Sequence, residues 1–186
     1  RIGEYWKWFT IPNVDTGICP DFSTTLVPKF IEMVLVPLAF LVILRYAPRE
    51  WGFKSSKLAW LIVAGPIIAL IVQGVSTHPL DKFVNSSFCF YFAAGLPEEF
   101  LFRMWIQTRL EALLHRPLFA IWLAALIFGV SHVPINLHGS FEHWQDALLT
   151  AFTYQMGVGV ALGYAYRRTA SILPLSVLHA FIDSAP

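Results

Sequence analysis

Six ionisable residues stand where an apolar chain should not tolerate them. Glu98 and Glu99 open a run in which Arg103 follows four residues after Glu99; His132 lies in a second apolar stretch, and His179 and Asp183 lie four apart in a third. On a helix, positions i and i+4 share a face, so Glu99 can pair with Arg103 and His179 can sit beside Asp183. Glu98 points about 100° away from Glu99 on a helix of 3.6 residues per turn, which leaves its carboxylate free for another task. A carboxylate with a histidine can activate a water for attack on an amide carbonyl. His179 and Asp183 on a facing helix can then donate to the oxyanion, although an ionised Asp183 would orient His179 instead. No serine or cysteine has an evident base partner; Ser131 is adjacent to His132 and so points elsewhere on a helix.

The elements carrying these residues belong in a bilayer. The chain has 186 residues, 56% hydrophobic and 13% charged, with a mean hydropathy of +0.60. Soluble domains carry about 25% charged residues, so this chain cannot cover a water-facing surface. Its 16 Phe and 7 Trp suit a membrane and its interfaces. The same figures exclude disorder, and a net charge of +1 excludes a basic nucleic-acid surface. The first residue is Arg1, not Met, so either a start segment has been removed or the chain is part of a longer protein.

Spanning helices need about 20 apolar residues. Six stretches qualify or nearly so: Leu26–Tyr46, Leu58–Val75, Phe83–Leu110, Pro117–Asn136, Ala147–Tyr166 and Ala170–Ser184. They are continuously apolar rather than alternating, which points to helices and not a barrel. The expected fold is an all-α polytopic transmembrane bundle of about six spans. Residues 1–25 read as an interfacial segment and 26–186 as a single transmembrane domain. Arg45, Arg49, Lys54, Lys57, Arg109, Arg116, Arg167 and Arg168 fall in the odd-to-even loops, eight of the 13 Lys and Arg. The positive-inside rule places those loops in the cytoplasm and both chain ends outside, with Arg1, Lys7, Lys29 and Lys82 on the outer side. The reacting groups then lie at mid-depth, leaning outward.

Charges at mid-bilayer are expensive, about 2.5–3.5 kcal/mol each on insertion scales. Pairing inside the bundle must offset that, and such residues are functional by default. Pro97 should break the helix just before the two glutamates, leaving them in a first turn where the helix dipole favours anions. Gly157, Gly159 and Gly163 suggest close helix packing. Cys89 reads as a small packing residue and Cys19 as a polar-segment residue, with no support for a disulfide. His78, His115, His138 and His143 sit in loops and carry no assigned role.

Glu98-Glu99-x-x-x-Arg103, Phe128-x-x-x-His132 and His179-x-x-x-Asp183, in this order on three apolar stretches, resemble the CPBP intramembrane proteases. This is the family of CAAX-prenyl-protease-like and bacteriocin-processing-like proteins, also called Abi. The match runs over about Phe83–Asp183. It implies a glutamate-dependent endopeptidase cutting near the C-terminus or a membrane segment of a membrane-anchored protein. Glu98 and His132 would activate water, and His179 and Asp183 (Asn in some members) would bind the oxyanion, with Glu99 and Arg103 in support. These groups are of types that ligate zinc. An Asn at the last position would be a poor ligand, so the expectation is no metal and no cofactor. The outward-leaning site suits a bacterial plasma-membrane protease that trims C-terminal sorting tails. Two other classes compete. A proton-coupled transporter would also bury such residues, but no pair of broken helices repeats in two halves. A non-catalytic scaffold or immunity protein would not need all four groups intact.

Overall fold

The computed structural model describes Cys19 and residues 26–47, 56–139 and 143–185. The expected interfacial segment 1–25 therefore lies, Cys19 apart, outside the described residues. Each apolar stretch forms a helix: α1 (27–43), α2 (Lys57–Thr77), α3 (80–114), α4 (Pro117–Gly139), α5 (144–169) and α6 (Leu173–Ser184). Strands are absent among the described residues. The all-helical expectation holds. By length and composition, two segments are apolar enough to cross a membrane, Lys57–Thr77 and Pro117–Leu137, with mean hydropathies of 2.3 and 2.1.

Local chemistry sets the helix ends. The Ser56 hydroxyl accepts from the Ala59 N–H at 3.0 Å and starts α2, the usual work of an N-cap serine. α3 stops at His115 and α5 at Ala170, both in the left-handed conformation with φ of 53° and 47°. Glycine is the common residue at such stops.

Three helices are not uniform. π-helical turns interrupt α1 at Ile31–Leu35 and α5 at Ala151–Gln155, and α3 at Tyr91–Gly95 and Phe100–Gln107. Glu98 and Glu99 sit in the short α-helical piece Leu96–Glu99 between the two wide turns of α3. Pro97 does not break this helix, contrary to expectation. The backbone is helical through Leu96 and Phe100. A proline in a helix lacks an N–H and crowds the carbonyl four residues back, and the wide turn just before it takes up that crowding. The glutamates are thus inside a continuous helix, not at a dipole-bearing start.

Charged side chains are buried within an otherwise apolar interior, while large apolar side chains face outward. Glu99 and Arg103 are 0% exposed, whereas Leu61 is 74% and Ile43 71% exposed. Such an outer surface matches a lipid solvent. The inner apolar cluster joins Val34 and Leu41 of α1, Val63 of α2, Phe100 and Met104 of α3, Leu162 of α5 and Leu175 of α6. α3 and α6 lie side by side, with Phe83 against Phe181 and the Ser87 and Ser184 hydroxyls 2.8 Å apart. A Cβ on Gly95 would meet the Ser176 carbonyl oxygen, so the glycine permits this approach. A Cβ on Gly159 would come within 3.0 Å of Ala125, and one on Gly163 within 2.9 Å of Gln107 Oε1. Among the described residues nothing lies within 4 Å of a Cβ on Gly157, so it has no part in that packing.

Cys19 and Cys89 form a disulfide, with Cα atoms 5.6 Å apart. This corrects the reading of Cys89 as a packing residue. The partners are separated by 70 residues, and no local pattern marks such a pair.

Candidate active site

α3, α4 and α6 bring their polar residues to one point. Glu98 is buried, and its Oε2 lies 3.7 Å from His132 Nε2 and 3.8 Å from His179 Nε2. Asp183 Oδ2 lies 3.6 Å from the same His179 nitrogen. All four residues of the expected set therefore converge. Glu98 Oε2 has no hydrogen-bond partner among the described residues, and the gaps around it are longer than direct hydrogen bonds. Polar atoms at such separations can share one water that sits beside them rather than between them.

The supporting groups fix the imidazoles. His179 Nδ1 is 2.9 Å from Glu99 Oε1, and Glu99 Oε2 is 3.1 Å from Arg103 Nε. The Arg103 contact is ionic in distance, without the alignment of a hydrogen bond. The guanidinium also lies over the Phe128 ring, 5.0 Å from its centroid. Phe128 in turn packs edge-on against Phe102 and His179. His132 Nδ1 is 2.8 Å from the Phe128 carbonyl oxygen, an i to i+4 contact within α4. With that carbonyl accepting, the proton belongs on Nδ1 and Nε2 is left facing Glu98. The Ser131 hydroxyl donates to the same carbonyl at 2.7 Å and stands 3.4 Å from His132 Nδ1. Adjacency in the helix therefore does not carry Ser131 away from the ring, as expected, but to its outer nitrogen, remote from Glu98.

Asp183 is not the group that orients His179 most directly. Glu99 is, through the shorter contact to Nδ1. A residue that the sequence reading counts only as an outer-side charge also enters the site. Lys29 of α1 places Nζ 3.0 Å from Glu98 Oε1. Its only sequence signal is a cation three residues into an apolar stretch, which the loop-charge count takes as flanking. Among the described residues, no three His, Cys, Asp or Glu side chains are grouped to hold a metal ion.

Comparison with known proteins adds one match. No curated protein and no solved structure matches the chain. The family model described as type II CAAX prenyl endopeptidase Rce1-like matches residues 81–185, the segment that runs from the start of α3 to the end of α6. All the groups converging on Glu98 lie in it except Lys29. The chain belongs to the type II CAAX prenyl endopeptidase Rce1-like family, a membrane-embedded protease family.

Proposed function

We propose that residues 26–186 form a single multi-pass protease domain, with all six helices in the bilayer, that hydrolyses a peptide bond near the C-terminus or membrane segment of a membrane-anchored protein. The observation that carries this reading is Oε2 of Glu98, without a hydrogen-bond partner among the described residues and buried between two imidazole nitrogens 3.7 and 3.8 Å away. A water held there gives its proton to Glu98, assisted by His132, and its oxygen attacks the scissile carbonyl. His179 donates Nδ1–H to Glu99 and, when doubly protonated, Nε2–H to the carbonyl oxygen as it becomes an oxyanion. Neutral Asp183 adds an O–H donor beside it. Glu98 then passes its proton to the leaving amine as the C–N bond breaks. Donors placed where charge develops in this way supply much of an enzyme's rate acceleration.

Zinc is not required by this scheme. Of the zinc-ligating types at the site, His179 is tied at Nδ1 to Glu99, and its Nε2 serves the oxyanion. The domain sits in a bacterial plasma membrane and trims C-terminal sorting tails of exported proteins. Two features support that orientation: the cytoplasmic bias of the basic loops, and the Cys19–Cys89 bond, since disulfides persist in oxidising compartments outside the cytosol. Labelling intact cells with a membrane-impermeant maleimide after impermeant reductant tests it. Cys19 and Cys89 label from outside; labelling only after lysis contradicts the orientation.

A further inference from the structure

We infer that Lys29 is a positioning residue that aims the Glu98 carboxylate, a role that rests on Glu98 acting on water as proposed above. Lys29 lies outside the family-matched segment of 81–185 and is separated from Glu98 by 69 residues. Its side chain is 28% exposed and that of Glu98 only 5%, and they meet at 3.0 Å. Lys29 is the only Lys or Arg among the described residues paired with Glu98.

The terminal torsion of a glutamate is broad and nearly free. Left alone, the Glu98 carboxylate would turn until an oxygen bonded directly to His132 or His179, displacing a water shared by all three. An ammonium at Oε1 fixes the plane and holds Oε2 just beyond direct hydrogen-bond distance of both rings. It also supplies the opposite charge that a buried carboxylate needs. Arg103 cannot do this, because Glu99 already holds it at 3.1 Å.

The placement of Lys29 is built into α1. Val34 and Leu41 of that helix are buried and join the cluster of Phe100 and Met104 on α3, which fixes how α1 lies along α3. The first turn of α1 then stands beside the Tyr91–Gly95 turn, and the Ile31–Leu35 turn of α1 beside the glutamate-bearing piece that follows it. Pro28 at the start of α1 is compatible with a helix first turn and leaves Lys29 at a set distance from the helix start.

The test uses the full chain in detergent with a panel of internally quenched C-terminal tail peptides, prenylated and unprenylated. Lys29→Met, Lys29→Arg and Glu98→Gln are compared with wild type on the best-cleaved peptide. Misplacing a reacting group by about 1 Å costs about 100-fold in rate. Lys29→Met should therefore lower kcat by about 10- to 100-fold with KM changed less than about threefold. Lys29→Arg should recover most of kcat, because it restores the cation. If Lys29→Met does not fold, Lys29→Gln carries the same comparison. Wild-type kcat in Lys29→Met, or an Arg variant as slow as the Met variant, overturns the positioning role. If Glu98→Gln cleaves like wild type, the Glu98 mechanism itself has failed. An inactive Glu98→Gln beside a fully active Lys29→Met sinks the Lys29 role alone.

Discussion

His179 takes its orientation from Glu99: Nδ1 of the imidazole lies 2.9 Å from Oε1 of a carboxylate 80 residues away in the chain. The other oxygen of Glu99 faces Arg103 at 3.1 Å. One carboxylate therefore ties a cation on its own helix to a ring on the facing helix. The Glu99–Arg103 pair is more than ballast against the cost of burying charge. It sets which nitrogen of His179 faces Glu98.

That dual role makes Glu99 the least replaceable of the six polar residues for stability. Breaking a buried pair by removing one partner costs about 3–5 kcal/mol, because the other charge is left unpaired. Glu99→Ala should lower the thermal unfolding midpoint in detergent markedly and remove activity with it. Glu98→Gln should leave the midpoint nearly unchanged, since its partner Lys29 is partly exposed. Equal midpoints for the two variants would contradict this account of Glu99.

Asp183 separates the donor role from the orienting role. Its oxygen stands 3.6 Å from His179 Nε2, the nitrogen that faces Glu98. An amide there can still donate a hydrogen bond, whereas an alkyl group cannot. Asp183→Asn should keep activity within about tenfold of wild type. Asp183→Leu should lose about 10²–10³ in kcat, the range for loss of one oxyanion donor. The reverse order in steady-state kinetics would show that Asp183 acts through its charge.

The line of contact between α3 and α6 depends on Gly95. A Cβ there would meet the Ser176 carbonyl oxygen and lie 3.3 Å from the Ala180 nitrogen. Neither is the flexible end of a side chain. Gly95→Ala should destabilise by about 1–3 kcal/mol, the usual range for overpacking. It should also slow cleavage, because separating these helices draws Glu99 from His179. Gly157→Ala is the control, with no atom of the described residues within 4 Å of the added carbon.

The disulfide closes a long loop across α1 and α2. A cross-link between residues 70 apart removes about 4 kcal/mol of loop entropy from the unfolded chain. Reductant, or Cys89→Ser, should lower the unfolding midpoint. An unchanged midpoint after confirmed reduction would count against a stabilising bond.

Much of this was legible in the residues because it is local. Hydropathy marks all six helices, and i to i+4 spacing finds Glu99 with Arg103 and His179 with Asp183. What the spacing misses is long-range or subtle. Lys29 reads as a flanking charge, since nothing in its neighbourhood refers to a glutamate on another helix. Glu99 reads as a partner of Arg103 alone, because an i to i+4 rule does not see the facing helix. Cys19 and Cys89 carry no spacing signal. The π turns beside Glu98 and Glu99 add one residue to a helical turn without changing which residues are apolar, so the hydropathy pattern passes over them, and Pro97 then reads as a break.

The central claim is that Glu98 activates water without a metal. The most direct test is cleavage of the quenched tail peptides by purified wild type and Glu98→Gln, each stripped with a chelator. The account predicts that wild-type cleavage survives chelation and that Glu98→Gln, folded and inserted normally, shows none. Cleavage lost on chelation and restored by zinc, or full activity in Glu98→Gln, would contradict it.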